Sequence, residues 1–178
     1  MTTVMVAGAW DEQSAEVLAA AEAIGKAVAG RAHSLITGGG SGVAAHAAAG
    51  AAGAGGTTVA VIGQTRTADG EAELNSAYSL RMYTDSGWDG RSIVAVKSAD
   101  VLVVVGGKIG TLIEVATAYL HKVPVIVLRA SSDLVVRLEA FALDGYLDDR
   151  ENVRINFADT VEEVLALLDQ KTAQNVAK

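Results

Sequence analysis

Two glycine clusters are the first places where this 178-residue chain could do chemistry: Gly38-Gly39-Gly40-Ser41-Gly42 and Gly106-Gly107-Lys108-Ile109-Gly110-Thr111. Each follows a short aliphatic run and precedes a stretch with helical periodicity. Amide groups at the start of an uncapped helix bind anions, and glycine lets a phosphate come close to the backbone without a side chain in its way. One such cluster reads equally well as a tight turn. Two in one short chain favour a phosphorylated small molecule, held by Gly38, Gly39 and Gly40 and by Gly107, Lys108, Gly110 and Thr111.

Familiar motifs do not account for these turns. Gly40-Ser41-Gly42-Val43-Ala44-Ala45 fits the loose dinucleotide pattern, yet the third expected strand ends in Gly63-Gln64, without the acidic residue that would bind a ribose. Gly107-Lys108 is followed by Ile109 where a P-loop needs a hydroxyl, and Val43 stands where a nucleophile elbow around Ser41 needs glycine. The absence of cysteine removes disulfides, thiolate metal sites and thiol nucleophiles. His33, His46 and His121 lack ligand spacing, so no metal or cofactor is expected.

The elements that must position these turns follow from aliphatic runs alternating with amphipathic stretches. Strands are expected at 3–8, 34–37, 57–63, 80–83, 101–105, 125–128 and 153–156. Helices are expected from Ser14, as cap, to about Ala29, and over 43–54, 89–98, 111–121 and 161–170, the last opened by a Thr160–Glu163 capping box. The pattern predicts a Rossmann-like three-layer α/β/α domain over residues 1–170, with a mostly parallel sheet of about seven strands and a flexible tail at 171–178. Gln64 to Ala77 reads as a long loop beside the site.

Hydrophobic residues make up 51% of the chain and aromatic ones 4%, so the core is built from Ala, Val, Leu and Ile. The Ala-rich helix from Val43 to Ala54 has almost no polar side and needs cover, inside the domain or at a subunit interface. A net charge of -7 opposes binding of a nucleic-acid polymer but leaves small anions possible. The uncharged stretch between Arg31 and Arg66 is interrupted by Gly55-Gly56 and reads as a buried helix and strand rather than a membrane span. No basic segment precedes the first strand, which points to the cytoplasm.

The stretch from Arg91 through Asp100 and Val101–Val105 to Gly106-Gly107-Lys108-Ile109-Gly110-Thr111-Leu112-Ile113-Glu114 resembles the LOG family of cytokinin-nucleotide phosphoribohydrolases. Gly107, Gly110, Thr111 and Glu114 fall on that family's P-G-G-x-G-T-x-x-E motif, Arg91 and Asp100 have its spacing, and Gly38-Gly39-Gly40 matches its earlier turn. Gly106 replaces the motif proline, Lys108 its second glycine, and Ser92 a lysine. In these departures the chain looks more like a short, DprA-related bacterial branch that also includes molybdenum-cofactor carriers.

The resemblance implies a homodimer, and a hydrolase that splits a purine or cytokinin nucleoside 5'-monophosphate into free base and ribose 5-phosphate. Glu114 would stabilise the ribosyl cation and activate water, while Arg91 would hold phosphate or orient Glu114. Lys108 either adds charge to the phosphate site or fills space the ligand needs. Gly8 and Trp10, at the end of the first strand, complete the expected contacts, with Trp10 either stacking on a base or packing against a loop. The alternative is a carrier that binds a nucleotide or molybdenum cofactor without turnover.

Overall fold

The computed structural model describes residues 1–11, 13–66, 76–129 and 131–176. In chain order the elements are β1 (Thr3–Gly8), α1 (Ala15–Gly30), β2 (Ser34–Thr37), α2 (Val43–Gly53), β3 (Thr58–Ile62) and β4 (Leu80–Tyr83). They continue with α3 (Gly87–Lys97), β5 (Val101–Val105), α4 (Ile109–Leu120), β6 (Val125–Leu128), α5 (Asp133–Phe141), β7 (Ile155–Ala158) and α6 (Val161–Val176). The seven strands form one sheet in the order β4-β3-β2-β1-β5-β6-β7. Every pairing is parallel.

Side chains alternate across a strand, so each strand feeds two cores. Val4, Val6, Val101, Val103 and Val105 pack with Ile24, Val28, Ala47, Val164 and Leu168, on the face covered by α1, α2 and α6. Met5, Ala7, Leu102 and Val104 pack with Ala95, Val115, Ala118 and Leu138, under α3, α4 and α5. Burial on both faces is why the strands read as continuous aliphatic runs.

Cover for the Ala-rich helix comes from within the chain. A Cβ placed on Gly25 would lie 2.0 Å from the Ala47 carbonyl oxygen, and one on Gly50 would lie 2.0 Å from that of Glu22. These two glycines let α1 and α2 pack backbone against backbone.

The winding creates a crevice. The chain runs outward from β1 to β4, then returns to set β5 against the other edge of β1, pairing Val4 with Val101 through to Gly8 with Val105. The loops after β1 and β5 lead to helices on opposite faces, and such a switch point leaves a cleft at the carboxyl ends of the strands.

Three expectations need correction. Helix α5 was not anticipated; Ser132 caps it, accepting from the Val135 amide at 3.4 Å, and it buries only Val135 and Leu138. Strand β7 lies two residues beyond the expected span, because pairing Val125 with Ile155 fixes its register on β6. Helix α6 does not stop at Gln170 but runs to Val176, with Thr172 buried and its hydroxyl donating to the Leu168 carbonyl at 3.0 Å. Part of the expected loop, residues 67–75, lies outside the described residues, and Tyr78 at its end is a core residue. No helix among the described residues is long and apolar enough to cross a membrane.

Candidate functional site

The helices divide by how they begin. Ser14 and Ser132 cap α1 and α5, and the Thr160 hydroxyl accepts from the Glu163 amide at 3.2 Å to open α6. By contrast, α2, α3 and α4 have no side-chain cap among the described residues. All three begin at the carboxyl end of the sheet. Neither α2 nor α4 has an acidic residue in its first turn. At α2 the Val43 amide is satisfied by the Ala9 carbonyl at 3.1 Å. In α4 the Leu112 amide bonds to the Lys108 carbonyl, so the amides of Ile109, Gly110 and Thr111 precede the helical ladder and are available to an anion.

The turn into α4 depends on its two leading glycines. Gly106 has φ +71 and Gly107 φ +124. The Gly106 amide donates to Ser131 Oγ at 2.8 Å, and that hydroxyl donates to the Leu128 carbonyl at 2.5 Å. Proline can adopt neither this φ nor this hydrogen bond, which explains why the motif's proline is absent here. A Cβ on Gly107 would lie 2.3 Å from Thr111 Oγ1, so Thr111 closes over the turn from the helix side. A Cβ on Gly110 would meet nothing, leaving open space above the first turn. Lys108, largely exposed, reaches across the crevice and pairs through Nζ with Oδ2 of Asp11. Its hydrogen bond holds the Asp11 carboxyl below the usual range.

Arg91 and Glu114 meet, one of the two arrangements left open for Arg91. Arg91 Nη1 donates to Glu114 Oε1 at 3.3 Å, and Ser92 Oγ donates to the same oxygen at 3.1 Å. Glu114 is 5% exposed, and the Arg91 side chain 17%. Burial pushes the Glu114 carboxyl up from its ordinary pKa, while Arg91 and then Ser92 pull it back. The Arg91 guanidinium rests against Gly38, where a Cβ would lie 2.0 Å from Nη1. Its Nε is buried without a hydrogen-bond partner among the described residues, and it sits 5.7 Å from the Trp88 ring centre. Beside it, Thr37 Oγ1 bonds Tyr78 Oη at 2.6 Å and accepts from the Gly39 amide at 3.1 Å, which fixes the first glycine turn. Burial raises the Tyr78 pKa to about 12.

The other expected residues fall into place around this junction. Gly8 faces protein: a Cβ there would lie 2.3 Å from the Val105 carbonyl oxygen and 2.6 Å from Val43, so this glycine seats β1 against β5 and α2. Trp10 is 71% exposed at the rim, held by its carbonyl, which accepts from Ser41 Oγ at 2.5 Å. Gly40 opens to free space. A cleft of about 300 Å³ borders Gly107 and Lys108, and another of about 330 Å³ lies along β7. Neither is lined by Arg91 or Glu114, which lie largely buried against each other. Sequence reasoning had no role for Asp11, Ser131 or Tyr78, and saw Ser92 only as a departure. Nothing local marks them, since each acts on a residue brought near by the sheet.

A family model described as the SLOG cluster4 family matches residues 1–165. Among solved structures, a structural-genomics target named TM1055 is 32% identical, with 96% of this chain and 99% of that one covered and a TM-score of 0.88. The molybdenum cofactor carrier protein of Chlamydomonas reinhardtii is 30% identical, covering 97% of this chain and 98% of its own, with a TM-score of 0.79. The molybdenum cofactor binding protein of Rippkaea orientalis is 28% identical, covering 95% and 96%, also with a TM-score of 0.79. DNA processing protein A of Helicobacter pylori, 13% identical with a TM-score of 0.72 over 95% of this chain and 80% of its own, shares the fold.

Proposed function

Because the chain belongs to the SLOG cluster4 family, we propose that it binds a small phosphorylated ligand, a mononucleotide or molybdenum cofactor, and carries it without turnover. The observation that carries this reading is the uncapped start of α4 at the β1/β5 switch point. There the amides of Ile109, Gly110 and Thr111 precede the helical ladder, space is open above Gly110, and Lys108 stands in the same turn. Phosphate binds there, and Lys108 exchanges Asp11 for it. Glycine freedom at 106 and 107 sets the turn, and Thr111 supports it from below. The likeness to a carrier and a binder of molybdenum cofactor supports the class of ligand. The burial of Glu114 against Arg91 supports binding over turnover, because a glycosidase carboxylate must face the anomeric carbon.

A second reading is favoured by one observation: Glu114 lies one turn beyond the phosphate turn, on the same helix, with its pKa raised. Once freed from Arg91, that carboxyl has the place to act in N-glycosidic cleavage of a nucleoside 5'-monophosphate. The homodimer rests on the LOG resemblance, since α1 already covers α2; light scattering on the purified chain measures it directly.

Calorimetry with a panel of nucleoside monophosphates, followed by chromatography for free base, separates these readings. Binding without base release is expected. Base release that is lost in Glu114→Gln gives the hydrolase the lead, and failure of every phosphorylated ligand to bind overturns both.

A further inference from the structure

The cleft of about 300 Å³ beside the phosphate turn has a chemistry of its own. Its walls are the β1–α1 loop at Ala9 and Gln13, the Gly107–Lys108 turn, and α5 from Ser132 to Arg137. Asp133 and Arg137 stand one helical turn apart on α5, the spacing at which a carboxylate and a guanidinium usually pair. They do not pair, and neither side chain has a hydrogen-bond or ion-pair partner among the described residues. A carboxylate with two acceptor oxygens and a guanidinium fork therefore both face a cleft that adjoins the place where phosphate is held. Ala9 and Leu134 contribute apolar lining to the same cleft.

We propose that this cleft is the ring subsite of the ligand, and that Asp133 and Arg137 select the 2-amino-4-oxopyrimidine edge common to guanine and pterins. The proposal rests on the reading that phosphate binds at the Gly107–Thr111 turn. That edge presents two adjacent N–H donors, the ring N–H and the exocyclic amine, followed by a carbonyl acceptor. A carboxylate accepts both donors in a bidentate bond, and a guanidinium donates to the carbonyl. Adenine presents a ring lone pair where guanine presents an N–H, which would set acceptor against acceptor at Asp133. A site whose polar groups are left unpaired by the wrong ring rejects it.

The test is calorimetry on the full chain with GMP, AMP, XMP and neopterin monophosphate. GMP and neopterin monophosphate should bind roughly tenfold or more tighter than AMP, and the tighter of the two identifies the source of the ring. Asp133→Asn should lose that preference and gain affinity for XMP, whose carbonyl at the 2-position accepts from an amide; a purely structural role for Asp133 would not produce this exchange. Arg137→Gln should weaken GMP and leave AMP unchanged. Equal affinities for GMP and AMP in the wild-type chain, or an Asp133→Asn variant that keeps the preference and ignores XMP, overturn the ring subsite while leaving the phosphate site standing. If no monophosphate binds, the phosphate reading fails and the ring subsite falls with it.

Discussion

Replacing Arg91 with Met should produce a loss of stability that depends on pH in a defined direction. Methionine keeps the aliphatic stem against Gly63 but removes the cation that faces Glu114 and lies near the Trp88 ring. Glu114 then keeps only Ser92 as a polar partner among the described residues. Removing one partner of a buried ion pair typically costs 3–5 kcal/mol. With Arg91 partly exposed and the contact at 3.3 Å, we expect about 2–4 kcal/mol when Glu114 is ionised. Burial already raises the folded pKa of Glu114 above its unfolded value, so the folded chain holds this proton to higher pH than the unfolded chain does. Glu114 is therefore most compatible with folding below the unfolded carboxylate range, and stability falls as pH rises towards the folded value. Arg91→Met moves that folded value further up and deepens the fall. Urea unfolding at about pH 8 should show the larger deficit, and at about pH 3, below the unfolded carboxylate range, little of it. Adding Glu114→Gln to Arg91→Met should restore most of the loss at the higher pH. A deficit that is equal at both pH values, or is not relieved in the double variant, refutes the assignment of Arg91 as counter-ion.

Gly106→Pro restores the residue of the LOG motif yet should destabilise by about 3 kcal/mol or more, since it forbids the observed φ and removes the bond to Ser131; chemical denaturation measures it. Lys108→Gly should leave the melting temperature nearly unchanged because its pair with Asp11 is exposed, while phosphate-ligand affinity falls roughly tenfold in calorimetry. A rise in affinity would instead mean that Lys108 obstructs the turn. Gly25→Ala, ordinarily favourable in a helix, should destabilise by about 1–3 kcal/mol in urea titration, because the added methyl meets the Ala47 carbonyl.

The sheet was legible because its strands are buried on both faces: runs such as Val101–Val105 admit few other readings. The motif marked Arg91 and Glu114 as candidates, while their contact was one of two roles left open for Arg91. Helix α5 was not, because Val136 and Phe141 face solvent and blur its apolar stripe. The Asp11–Lys108 bridge could not be read at all, since the two residues meet only where β1 and β5 become neighbours. The missing motif proline stood in the sequence only as a departure, whereas the structure shows a turn with different hydrogen bonding.

The central position of β1 also has a consequence for a chain emerging from the ribosome. β1 gains β2 early, but its other edge stays open until residues 101–105 have been made. Until then an aliphatic strand with unsatisfied backbone groups is a template for intermolecular pairing, and closing it is a long-range contact of the slow-forming kind. The crevice between the β1 and β5 loops comes into being at the same step. Ligand binding by a nascent chain would thus report that this late closure has occurred, and a chain arrested before β5 should neither bind ligand nor stay soluble.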